Sequence, residues 1–596
     1  MTSAPLSRLP GPLVVTQIPV GSGLAGQATP SGGALRAPSG EGARLLLVSP
    51  DGSARVLTAG LHSACDPDVS FDARRILFAA KRAAADPWSI CEMAADGSAV
   101  RPVTKEPGDC RSPGYQSALF TLDAPAPWRQ ITFVGDAAGT LNEHDAARAT
   151  HLYSCKLDGS DVRRLTYGLS SAADPFLMAD GRLLFASGHR NAPIRGLQGR
   201  SGLFGVNIDG TDYALFAATD GRHIQRMPCV TSDGLAVFVE ADEAQWDAAG
   251  SLACVSLRRP LHSYRPLTRP AAGLFHSPSP LPDGSLLVSR RPRDGSGTHG
   301  VYRLVPRTGE LQRVFDDLGY HDVQAKLIHP RPEPDGRSTV VNEEDPRGKL
   351  YCLNVYASDL AKREWMPPGT VRRLRILEGV PPRAPDRGGS LPANGLPLVA
   401  ERRFLGEIDV RADGSFNVEV PANTPIELQI LDADGLALRS CGWIWARNHE
   451  PRGCIGCHED GELTPENHFS GALDGPSVSL CPPEPQRRAV DFSRDLLPVI
   501  QGKCMPCHGQ SGAKPRLDAG AHFTYEALLA RSEYVHPGSA RTSPLIWHVF
   551  GRNTARGWDG PAAARRAKPI PPGQAKPLSE GERRAFAEWV DLGAQR

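Results

Sequence analysis

No run in this 596-residue chain approaches the ~18 consecutive apolar residues of a membrane helix, so no membrane span is expected. Charge of one sign is lacking too. The 67 Lys and Arg balance 66 Asp and Glu, which excludes a nucleic-acid binder or a membrane-surface binder held by charge. The opening "MTSAPLSRLPGPLVVTQIPVG" has no charged segment followed by a continuous apolar one, so no secretory signal is visible. Methionine is sparse, with six in all and none after Met505. Glycine and proline are plentiful at 61 and 54, which suits an all-β protein with many turns. At this length two to four domains are expected.

The middle of the chain repeats. Turn-then-strand units recur as "DPDVSFDARRILFAA" (66–80), "ADPFLMADGRLLFAS" (173–187), "VTSDGLAVFVE" (230–240), "SPLPDGSLLVS" (279–289) and "RPEPDGRSTVV" (331–341). Between them lie strand pairs joined at Asp-Gly, as in "WSICEMAADGSAVRPVT" (88–104) and "LYSCKLDGSDVRRLT" (152–166). Asp-Gly between alternating apolar runs predicts a two-residue hairpin turn with both residues at positive φ. Anchors at Asp72, Asp123, Asp180, Asp233, Asp283 and Asp335 are spaced 51, 57, 53, 50 and 52 residues apart. Four short strands per ~50 residues is the period of a propeller blade. The expected fold is mainly β: a six- or seven-bladed β-propeller, a small β-sandwich-like module and a C-terminal all-α domain. The blades are similar to the TolB-type (PD40) repeat, a likeness shared by binding proteins and enzymes.

The expected boundaries are an irregular N-terminal segment over 1–43, the propeller over 44–377 and a Pro- and Gly-rich linker over 378–397. The β module follows over 398–480, where "GSFNVEV" and "IELQILD" alternate strictly. The terminal domain spans 481–596.

Two CxxCH motifs carry the chemistry: "CIGCH" (454–458) and "CMPCH" (504–508). Structural zinc sites place a second ligand pair ~12–20 residues after the first, whereas 46 residues separate Cys457 from Cys504. A thioredoxin-like CxxC needs a βαβ setting, which neither copy has. Covalent haem c needs this spacing: two thiols one turn apart for the vinyl groups and an adjacent imidazole for the iron. Cys454, Cys457, Cys504 and Cys507 are therefore expected to hold two haem c groups, with His458 and His508 as axial ligands. Zinc at the first motif is the alternative. Nine other cysteines remain, so an oxidising compartment would leave at least one unpaired.

The second motif lies between an amphipathic "DFSRDLLPVI" (491–500) and the helix "LSEGERRAFAEWVDLGA" (578–594). In the latter Ser579 and Glu582 form a capping box, Phe586, Trp589 and Val590 share a face, and Gly593 ends the helix. This arrangement resembles class I cytochrome c. Where that class offers a Met ligand before its last helix, this chain reads "KPIPPG" with Ile570. A histidine is expected in its place: His522, His536 or His548, with His548 favoured for its apolar flanks. Around the first motif the polar candidates are His449, Glu459, Asp460, Glu462 and His468.

Taken in order, "DPDVSFDARRILFAAKR", "GEIDVRADGSFNVEVPANTPIELQILDADG", "EPRGCIGCHEDGELTPEN", the second CxxCH and "WVDLGA" resemble the hydrazine synthase alpha subunit family over nearly the whole chain. The resemblance implies an active-site haem at Cys454, Cys457 and His458, where an N–N bond is made from hydroxylamine and ammonia. It implies an electron-transfer haem at Cys504, Cys507 and His508, and it places Asp66 of the propeller nearest a substrate. The reading put first is an exported dihaem c-type cytochrome acting in electron transfer. The alternatives are a multihaem redox enzyme on small nitrogen compounds and a propeller scaffold tethering a cytochrome to a partner. Haem c attachment implies a periplasmic or otherwise exported protein. The stretch 482–596 holds 17 basic and 11 acidic residues, a face suited to an acidic redox partner protein; other subunits of a redox complex are the further expected partners.

Overall fold

The Asp-Gly-Ser/Thr sequences build one turn, used repeatedly. The Asp51 carboxylate accepts from the Ser53 N–H at 2.9 Å and from its hydroxyl at 2.7 Å. Asp96 does the same with Ser98, Asp158 with Ser160 and Asp209 with Thr211. Only the glycine is left-handed, at φ 85° for Gly52 and 86° for Gly97. The expected two-residue turn is thus corrected to a three-residue loop. Gly52 N–H donates to Ser49 O and Ser49 N–H to Ser53 O, a right-handed turn closed by a left-handed glycine. The side-chain bond two residues on keeps the aspartate right-handed.

The computed structural model describes residues 9–21, 40–105, 108–122, 124–143, 147–189, 200–217, 224–243, 245–360, 362–385, 400–457, 462, 467, 469–509, 512, 514–518, 520–529, 533–566 and 577–596. The chain divides into two units: residues 1–189, 198–341 and 383–398, and residues 190–197, 342–382 and 399–596.

In the first unit the described residues form six antiparallel sheets of four strands. Their inner strands are Ser63–Val69, Cys110–Tyr115, Ala172–Leu177, Ile224–Val230, Leu274–Pro280 and Tyr320–Leu327. Each inner strand packs against the next and the last packs against the first, which makes a six-bladed propeller. Tyr320–Leu327 pairs with Leu13–Pro19, which pairs with Arg44–Val48, so the closing blade takes strands from both ends of the unit. Leu13–Pro19 lies inside the N-terminal stretch read as irregular from sequence. Asp72, Asp180, Asp233 and Asp283 sit in the turns after inner strands, whereas Asp123 lies outside the described residues. Asp335 precedes only Arg337–Ser338, which pairs with Leu119–Phe120.

The second unit holds two four-stranded sheets. One runs in the order 401–409, 373–380, 426–431, 437–444; the other runs 451–454, 347–352, 416–421, 478–479. Helices α1 (Leu497–Lys503), α2 (Met505–His508), α3 (Ala521–Leu529), α4 (Pro544–Phe550) and α5 (Glu580–Asp591) follow. Phe492, Phe586, Trp589 and Val590 share one apolar core with Leu377, Phe404 and Leu436 of the first of these sheets. The fully buried Arg375 joins sheet to helix, 2.9 Å from Glu407, 3.6 Å from Glu588 and 3.9 Å from Asp591.

Candidate functional site

The first motif leaves the end of an edge strand. Pro451–Cys454 pairs in parallel with Lys349–Cys352, which sets Cys454 opposite Cys352. The loop beyond is pinned to 353–357. Leu353 N–H donates to Cys454 O, Asn354 N–H to Ile455 O and Cys457 N–H to Ala357 O. Two glycines permit this. A Cβ on Gly456 would meet Ala357 O at 2.0 Å, and one on Gly453 would meet the Tyr351 ring at 2.5 Å. Cys454 and Cys457 are half-buried. His458, Glu459, Asp460 and His468 lie outside the described residues, whereas Glu462 is half-buried. His449 is committed elsewhere, with Nδ1 3.0 Å from Asp345 Oδ2.

The second motif lies on a single turn of helix. Leu497 and Ile500 bury α1, and Cys504 N–H donates to Ile500 O, so the chain enters the motif already helical. Cys504 is half-buried and Cys507 exposed. Burial, followed by the neighbouring Cys507, pushes the Cys504 thiol above its ordinary value. His508 Nδ1 lies 3.1 Å from Pro515 O. A carbonyl only accepts, so this bond assigns the proton to Nδ1 and the lone pair to Nε2, the form of a metal-ligating histidine. Two thiols and an imidazole with its tautomer fixed from behind fit covalent haem at this motif.

Of the three candidate opposing histidines, His536 is held by Thr542 Oγ1 at 3.1 Å, and Arg596 lies 3.3 Å from His522 Nδ1. His548 is half-buried on α4, whose Leu545, Val549 and Phe550 pack on the same core as Cys504 and Met505. Among the described residues no three His, Cys, Asp or Glu side chains converge as a metal site.

Within the propeller, Asp66 stands at a second concentration of polar groups. Every inner strand carries a bulge with one non-glycine residue at positive φ: Asp66, Ser112, Asp174, Met227, Ser277 and Gln324. These residues link the blades. Asp66 N–H donates to Gln324 Oε1 at 2.9 Å, Ser112 N–H to Asp66 Oδ2 at 3.0 Å and Met227 N–H to Asp174 Oδ2 at 3.1 Å. Ser277 N–H reaches Met227 Sδ at 3.3 Å and Gln324 N–H reaches Ser277 Oγ at 2.8 Å. Proline follows five of the six, so the bulges strand no second N–H there. The ring borders a cavity of about 150 Å³, lined among others by Asp66, Arg111, Asp174, Arg226, His276 and Lys326. The signal for this ring was present as an aspartate, serine or methionine before proline in five of the six blades. It is easily missed because the Asp-Gly turns repeat more loudly.

The hydrazine synthase alpha subunit middle domain family matches residues 369–459, a span that takes in strands 373–380, 401–409, 416–421, 426–431, 437–444 and 451–454 and the first motif itself. Hydrazine synthase subunit alpha of Kuenenia stuttgartiensis is 26% identical over 93% of this chain and 88% of its own. The chain is a homologue of that subunit. The solved hydrazine synthase of Kuenenia stuttgartiensis superposes with a TM-score of 0.81 at 24% identity, over 98% of this chain and 94% of that one, which shows a common fold. TolB from Acinetobacter baumannii aligns over 53% of this chain and 66% of its own, at 14% identity and a TM-score of 0.36. Among the described residues no helix is long and apolar enough to cross a membrane.

Proposed function

We propose that this chain is a haem c-bearing oxidoreductase subunit acting on small nitrogen compounds, working outside the cytoplasm with other subunits. The observation that carries the reading is the family match over 369–459, which includes Cys454, Cys457 and His458. The relatives favour this hydrazine-synthase-like reading over the dihaem electron carrier put first from sequence.

Cys454 and Cys457 would hold one haem by thioether bonds with His458 as axial donor; Cys504 and Cys507 would hold the other with His508. Haem c supplies one-electron chemistry and, where an axial position stays open, a place for a small ligand. The glycines at 453 and 456 let Tyr351 and Ala357 close on the first motif, which fixes where its thiols project. The bond from His508 to Pro515 holds that ring in the orientation and tautomer an axial ligand needs, and His548 is the candidate opposite it. Joining hydroxylamine to ammonia as hydrazine and water needs no net electrons: one nitrogen is reduced by one electron while the other is oxidised by one. Electrons are then needed only to prepare the hydroxylamine-level substrate, a task suited to the second motif. The excess of 17 basic over 11 acidic residues in 482–596 fits an acidic electron donor.

The test is the full chain matured in a host that attaches haem c, together with the subunits it recruits. Two haem additions by intact mass are expected, one lost in C454S/C457S and the other in C504S/C507S. Hydrazine should form from hydroxylamine and ammonia in the wild type and not in C454S/C457S. Hydrazine formation that survives loss of the first motif would overturn the assignment.

A further inference from the structure

Cys352 and Cys454 face each other across two parallel strands, with Lys349–Cys352 in register with Pro451–Cys454. Register partners in a parallel ladder project to the same face about 4.8 Å apart at Cα, inside the ~4.4–6.8 Å that a disulfide spans. Burial agrees with that geometry. Leu350 and Cys352 are each 1% exposed and their partners Arg452 and Cys454 are half-buried, whereas Pro451 and Gly453 are exposed. The Tyr351 ring lies against Gly453 on the other face. Backbone bonds bracket the pair: Lys349 N–H donates to Glu450 O at 2.8 Å and Leu353 N–H to Cys454 O at 2.9 Å. Cys457 is held further along, by its N–H bond to Ala357 O.

Strand 451–454 is the edge of its sheet, so it is free to draw in by the fraction of an ångström that closure needs, since a disulfide holds its Cβ atoms ~3.5–4.5 Å apart. A bridge closed under that strain is readily reopened by a reducing thiol. Access is asymmetric: Cys454 is half-buried and Cys352 buried behind it. The Cys454 thiolate attacks the disulfide of an oxidant, oxidised glutathione or an oxidised dithiol protein, and expels one of its sulfurs as a thiolate. The Cys352 thiolate then attacks the Cys454 sulfur and expels the other. The chain loses two protons and two electrons, and the oxidant becomes two thiols.

We propose that Cys352 and Cys454 join in a reversible disulfide in chains whose first motif carries no haem. Cys454 then forms no thioether until the bridge is reduced, so Cys352 sets a redox condition on the first haem. The bridge itself needs no haem; only its effect on attachment rests on the function proposed above.

To test this, the full chain is matured in a host that attaches haem c, its thiols are alkylated at lysis, and the peptides holding Cys352 and Cys454 are fragmented by mass spectrometry. Chains without haem at the first motif should yield the two peptides linked, two hydrogens lighter than their sum. Dithiothreitol before alkylation should separate them. Oxidised glutathione in the growth medium should deplete attachment at Cys454 in the wild type and leave it unchanged in Cys352→Ala. Should that variant fail to fold, Cys352→Ser takes its place, and the wild-type link is read without any variant. A link from Cys454 to Cys457 in place of Cys352, Cys352 alkylated in every haem-free chain, or equal depletion in Cys352→Ala overturns the proposal. A link in chains that never carry haem at the first motif supports it, and counts instead against the haem reading.

Discussion

Asp66 shows how neighbours define a carboxylate. Its Oδ2 accepts from Arg111 Nε at 2.6 Å and the Ser112 N–H at 3.0 Å; its Oδ1 accepts from Gln324 Nε2 at 2.6 Å and Arg111 Nη2 at 3.2 Å. Removing it in Asp66→Ala leaves Arg111 buried without a counter-charge, a loss of about 3–5 kcal/mol. Urea denaturation of Asp66→Ala, Arg111→Met and the double variant checks this. The double variant should recover part of the loss, and a single-variant cost below about 1 kcal/mol would deny the pair a place in the ring. Gly456→Ala drives a Cβ to 2.0 Å from Ala357 O and so displaces the first motif. The expected outcome is reduced haem attachment at Cys454 and Cys457, with attachment at Cys504 and Cys507 unchanged, read by peptide mass. The cysteines of both motifs were legible because their spacing is itself the chemistry. The role of Gly456 was not, because its partner Ala357 lies about a hundred residues earlier in the chain.

At the scale of the element, legibility follows locality. Helix α5 was readable in full. The Ser579 side chain accepts from Glu582 N–H while the Glu582 carboxylate accepts from Ser579 N–H, and Phe586, Trp589 and Val590 are buried. Ser579→Ala should therefore cost the second unit about 1 kcal/mol in chemical denaturation; no change would mean that Lys503, 2.6 Å from Glu582, fixes the end unaided. Blade hairpins were readable for the same reason, though not their turn type, since the carboxylate bond that selects it is a matter of side-chain geometry. Inner-strand bulges were not readable, because pairing across blades decides them. Leu13–Pro19 was hidden too: its apolar run is short, and its partners Tyr320–Leu327 lie some 300 residues away.

Across the whole chain, the propeller closes where Gln17 Nε2 donates to Asp322 Oδ1 at 2.9 Å and Asp317 N–H donates to Oδ2 at 2.7 Å. Burial first, against these two bonds, raises the Asp322 carboxyl to about 7. The folded state thus keeps a proton that the unfolded chain sheds near 4. The stability this proton confers is complete below about 4 and lost as pH rises through about 7. Asp322→Asn mimics the protonated form, so its advantage over the wild type should grow by about 2–4 kcal/mol between pH 4 and pH 7, measured by denaturation at each pH. A gap independent of pH would place the proton elsewhere. The central claim, a chain carrying two haems of which one serves chemistry, is tested most directly by a pyridine haemochrome spectrum with carbon monoxide added to the reduced protein. Two covalent haems per chain, one of them shifted by carbon monoxide, are predicted. A single haem, or two that carbon monoxide leaves unchanged, would contradict it.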